Sequence, residues 1–98
     1  MSHPTELFID SKLSPHDVEV LSADLKSATR DGAYSFRFIL QTGFLPTIGW
    51  LNRLSGLLKP LVIDKHHVEV SCASAQMPTL RQFGIHLIAD IVETQQAT

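Results

Sequence analysis

The spacing of apolar residues changes period in the first half of the chain, and that change limits the fold more than any other feature. Between Leu13 and Arg30 the residues Val18, Leu21, Leu25 and Ala28 recur three and four apart, while Glu19, Lys26 and Arg30 lie off their stripe. This is the period of a helix with one buried face. Its start is marked three ways: Ser14 as N-cap with Asp17 as its capping-box partner, Pro15 at the first helical position, and Leu13 placed to staple onto Val18. Gly32 supplies the stop. Immediately afterwards Tyr34, Phe36, Phe38 and Leu40 alternate with Ser35, Arg37 and Gln41, the two-residue period of a strand. Ile39 breaks the alternation, which predicts a strand end buried on both faces, as in the middle of a sheet.

The remaining elements continue this alternation. Glu6 to Ile9 is a short strand candidate, and about Thr47 to Leu58 a second helix, with Leu51, Leu54 and Leu58 on its inner stripe and Pro60 expected to end or kink it. Val68 to Ala73 reads as a strand, and a third helix near Met77 to Phe83 stops at Gly84. Ile85 to Val92 is apolar, and periodicity leaves its type open; Glu93 to Thr98 is a polar tail expected to fray. Strands alternating with helices predict an α/β fold, a largely parallel sheet joined by crossover helices. With 98 residues, the chain is one domain, without room for a second core.

Composition narrows the function. Charged residues make up 18% and hydrophobic ones 44% of the chain, as in an ordinary soluble globular protein. Eight Lys and Arg are scattered among ten acids, with a net charge of −2, so there is no basic stripe for nucleic acid. No apolar run is long enough to cross a bilayer, and no signal-peptide pattern opens the chain, so the expectation is no membrane insertion. A lone Cys72 and the missing signal pattern point to a reducing cytoplasm.

The sequence assembles no set of catalytic groups. His66 and His67 are adjacent, so on a strand they would point to opposite faces, and no zinc-spaced ligands accompany them. A solvated turn is the better reading, with no metal or other cofactor expected. Cys72 with His16 or His86 would make a nucleophile and base only if the fold joined them; an isolated Cys in a strand is more often a small buried hydrophobe. Phosphate-loop and nucleophile-elbow patterns are absent. No enzyme activity is expected.

What stands out is the stretch QTGFLPTIGW, Gln41 to Trp50, between the second strand and the second helix. A plain loop needs Gly and Pro but not Phe44, Leu45, Ile48 and Trp50. The junction is therefore either tucked into a core or held ready for a partner. Trp50 lies about 100° round the helix from Leu51, at the edge of the inner stripe, and both readings remain open for it.

Three segments carry a resemblance to a known family. LFIDSKLSPHDVEVLSADLKSA is similar to the strand, turn and first helix of the STAS domain, with Lys12-Leu13 where that family often has Glu-Leu and Ser11 where it has Gly. FLPTIGWLNRL resembles the family's F-I-D-S-S-G-L-x-x-L junction, and LRQFGIHLI its closing L-x-x-x-G-L. STAS domains include anti-sigma factor antagonists and the cytoplasmic domains of sulfate transporters. The resemblance implies an open, mostly parallel sheet of about four strands with its helices mainly on one face. It also implies a protein-binding surface at Gly43, Phe44, Leu45, Pro46, Thr47, Ile48, Gly49 and Trp50.

In regulated STAS members the second serine of the junction is the one a partner kinase phosphorylates. Aligned on Gly49, the family's Asp falls on Pro46, its first Ser on Thr47 and its second on Ile48. Ile48 carries no hydroxyl, and Thr47 is the nearby acceptor, at a helix N-terminus that favours an anion. The plainer role for Thr47 is to cap that helix. The expected partner is an anti-sigma factor-like kinase or the nucleotide-binding ATPase subunit of an ABC-type lipid transporter, with homodimerisation left open. The competing class is a small-ligand sensing domain with a cleft at the carboxyl ends of the strands.

Overall fold

The computed structural model describes residues 4–94. Its elements are β1 (Thr5–Ile9), α1 (Pro15–Arg30), β2 (Ser35–Leu40), α2 (Ile48–Ile63), β3 (His67–Cys72), α3 (Met77–Phe83) and β4 (Asp90–Glu93), with single 3-10 turns at Ser74–Gln76 and Ile85–Leu87. The four strands are all parallel and stand in chain order, β1-β2-β3-β4. Right-handed crossovers between successive neighbours put every connecting helix on the same side of a sheet. Burial follows: Leu7, Ile9, Phe36, Phe38, Leu40, Val68, Val70 and Cys72 are buried, and their alternate neighbours are mostly not.

Strand register aligns side chains into rows. Leu7, Phe38, Val70 and Ile91 form one row beneath the helices. On the open face, Glu6, Arg37, Glu69 and Asp90 form a charged row, and Phe8, Ile39, Ser71 and Val92 the row beside it. Ile39 is thus half-buried on the uncovered face, not enclosed on both; among the described residues no element packs over it.

The start of α1 matches its sequence signals. Ser14 Oγ accepts from Asp17 N at 3.1 Å, and the Asp17 carboxylate accepts from Ser14 N at 3.0 Å. Ahead of the cap, Leu13 is buried at 1% exposure. Val18, Leu21 and Ala28 are half-buried against the core, and Leu25 is buried. Ser14→Ala should cost about 1 kcal/mol, read as a lower urea midpoint at constant slope; an unmoved midpoint would mean that the cap adds nothing.

The central helix is α2, which touches α1, β3 and α3. It therefore buries a broad arc, Trp50, Leu51, Leu54, Ser55, Leu57, Leu58 and Leu61. Pro60 neither ends nor breaks it: the helix runs on to Ile63. The carbonyl that loses a donor belongs to Gly56, an exposed residue with open space where a Cβ would stand. Burial of Leu61 at 5% exposure holds the last turn in place.

Two further boundaries, at Tyr34 and at Glu93, differ from expectation, while α3 stops at Gly84 as expected and the segment left open after it is resolved. Tyr34 precedes β2 and is exposed, its ring edge-on to His66. The apolar segment after Gly84 divides into a 3-10 turn and the short strand β4, and Gly84 takes the left-handed conformation (φ 99°) that ends α3. Glu93 belongs to β4 and Thr94 N donates to Cys72 O at 2.7 Å, so the tail is ordered further than predicted; residues 95–98 lie outside the described part. Among the described residues no helix is long and apolar enough to cross a membrane.

Candidate functional site

Because the sheet is parallel, β1, β2 and β3 deliver their following loops to one end of the molecule, and three hydrogen-bonded links tie those loops together there. Asp10, the first residue after β1, folds back in a local turn: its Oδ1 accepts from Lys12 N at 3.0 Å and Leu13 N at 2.8 Å. Gln41, the first after β2, reaches across with Oε1 to accept from Ser11 N at 2.8 Å. Gln76, in the turn after β3, is buried at 1% exposure. Its Nε2 donates to Gln41 O at 3.0 Å and Phe44 O at 2.8 Å, while its Oε1 accepts from Ala73 N at 3.0 Å.

Trp50 supplies another link, and here the sequence expectation needs correcting. The indole is 2% exposed, its Nε1 donates to Asp10 O at 3.0 Å, and Phe44 stands edge-on to it with ring centroids 5.2 Å apart. Position 50 lies at the edge of a narrow Leu51-Leu54-Leu58 stripe, but α2 is enclosed on several sides and its buried arc includes that edge. The Trp50 ring is therefore no rim for a partner to cover. One turn on, Arg53 Nε donates to Leu13 O at 2.7 Å and fastens α2 to the β1–α1 turn.

The other junction residues divide between anchors and surface. Pro46 is buried, so it is not available to a partner either, and Phe44 is half-buried. Thr47 caps α2 through its Oγ1, which accepts from Trp50 N at 3.2 Å. Gly43 takes a φ of +89° that side chains rarely adopt. Gly49 is no turn glycine: it lies in the first turn of α2 with ordinary backbone. Leu45 and Ile48 are 65% and 72% exposed. Two large aliphatic side chains, one on the loop and one on the first residue of α2, are thus held in solvent on backbone fixed from below.

The remaining candidates do not join this site. His67 stands on the open sheet face, 3.9 Å from Asp90, while the His66 ring packs edge-on against Tyr34 and Phe36. Among the described residues no three His, Cys, Asp or Glu side chains are grouped to hold a metal ion. Cys72 is fully buried, and burial, helped by the negative charge of Glu93, pushes its thiol above the usual range. It stays a neutral core side chain at physiological pH.

Sequence reading missed Gln76, Gln41, Asp10 and Arg53. Asp10-Ser11-Lys12 between a strand and a cap does carry a local Asp-turn signal. The reach of Gln76 across to the β2 loop has no sequence counterpart. Compared with family models, curated proteins and solved structures, the chain gives no significant match.

Proposed function

We propose that this chain is a protein-interaction module of STAS type that docks a protein partner through the exposed part of the β2–α2 junction: Gly43, Leu45, Thr47, Ile48 and Gly49, with Phe44 at its edge. The observation that carries the reading is the exposure of Leu45 and Ile48 on a loop and helix start already fixed by Gln76, Trp50 and Thr47. A pre-ordered apolar surface binds without the cost of ordering a loop. Sequential parallel strands with all helices on one face agree with the architecture the resemblance implies. By the same resemblance the partner is an anti-sigma factor-like kinase in the cytoplasm, or alternatively the ATPase subunit of a lipid transporter. The small-ligand reading has less support, because Trp50 and Gln76 fill the space between the loops where such a cleft would open.

The junction works without the usual phosphoserine. Ile48 has no hydroxyl, and the Thr47 hydroxyl oxygen is engaged as the cap of α2. A phosphate on Thr47 would have to give up that contact.

The test replaces both exposed side chains, Leu45→Ser with Ile48→Ser, and measures affinity for a partner recovered from extract and purified. Binding should weaken more than about tenfold, or about 1.4 kcal/mol, with the melting temperature nearly unchanged. Undiminished affinity, or a loss no larger than the fraction unfolded, would remove the junction as the docking surface.

A further inference from the structure

We propose that the uncovered face of the sheet is a second docking surface, and that its occupant is a basic amphipathic helix of a partner protein. All-parallel sheets are almost always covered on both faces, and here every helix among the described residues lies on one. The other face keeps Phe8 at 64% exposure, with Val92 also exposed and Ile39 half-buried in the same row across the strands. Ser71 interrupts that row without leaving a free polar group, since its Oγ is hydrogen-bonded to Thr94 Oγ1 at 2.7 Å. An apolar band therefore crosses the sheet.

Charge selects the occupant. In the neighbouring row the Arg37 guanidinium is held between Glu6, at 3.1 Å, and Glu69, and Asp90 continues the row beyond them. The two carboxylates keep Arg37 charged by hydrogen bonding and attraction, raising its pKa. Three carboxylates against one guanidinium leave a surplus of two negative charges along the shallow cleft, about 490 Å³, that runs between the rows. A second copy of this chain would set like surplus against like, so charge disfavours self-association. Lys or Arg beside an apolar stripe satisfies both rows. Strands about 4.8 Å apart make each row about 14 Å long, which matches some nine or ten residues of helix. The rows are about 6.6 Å apart, within the width of one helix surface. This face is separate from the β2–α2 junction, and the proposal stands or falls independently of that one.

The probe is a synthetic amphipathic helix of about eighteen Leu and Lys residues, long enough to span the row, with a Leu and Glu counterpart as control. Each is titrated into the isotope-labelled full chain and followed by amide NMR shifts at low and physiological salt. The Leu-Lys helix should shift Phe8, Ile39, Ser71 and Val92, lose affinity as salt rises, and leave the helix-side residues unmoved; the Leu-Glu helix should do none of this. Phe8→Ser should weaken binding at least about fivefold, and Glu6→Lys with Asp90→Lys at least about tenfold. All three positions are exposed, so both variants should keep their melting temperatures. Equal binding of the two helices, no binding, or shifts confined to the junction would overturn the proposal. So would shifts of Phe8 and Ile39 that depend on protein concentration without peptide, which would make a second copy the cover.

Discussion

Trp50→Ala is expected to destabilise the protein by about 3–5 kcal/mol, the range for removing a buried aromatic side chain. The indole is 2% exposed and bonded to Asp10 O, so its removal empties a core site and leaves that carbonyl without its donor. Phe44 loses its edge contact in the same step. Trp50→Phe would keep most of the apolar contact and lose only the hydrogen bond, so it should cost far less. Urea unfolding of the pair measures both. A Trp50→Ala protein as stable as the parent would put the indole back on the surface and undo the description of the junction as locked.

Gln76→Leu is the second large effect. Leu nearly conserves volume, so the loss comes from polar groups: Gln41 O and Phe44 O lose a donor, and Ala73 N loses an acceptor. Leaving such groups unsatisfied costs about 1–3 kcal/mol. The distinguishing readout is local, because amide exchange should speed up in residues 41–46 more than in the sheet. A change spread evenly over the molecule would mean that Gln76 supports the core and not the loop.

How far the sequence could be read depends on how local each cause is. The start of α1 was legible because Ser14, Pro15 and Asp17 act within one turn, and the end of α3 because Gly84 alone takes the required conformation. The strands Ser35–Leu40 and His67–Cys72 were legible from alternation. The strand β4 was not: four residues carry too little period, and its identity comes from pairing with β3, Val70 opposite Ile91. Trp50 was placed at an edge because a stripe count assumes one buried side, whereas α2 is packed on three. The junction itself was legible as unusual, from its excess of apolar residues. Which of them are anchors and which are surface depended on Gln76 and Asp10, separated in sequence by 32 and 40 residues from the groups they hold.

Hydrogen exchange on the free chain and on its partner complex tests the central claim most directly. In the free protein the bonded amides of Trp50, Leu51 and Ala73 should already be protected, as expected of a surface formed before binding. Partner addition should then add protection confined to residues 42–49. Fast exchange at those three amides in the free chain, or new protection only on the exposed sides of α1 and α3, would contradict a preformed docking surface at the β2–α2 junction.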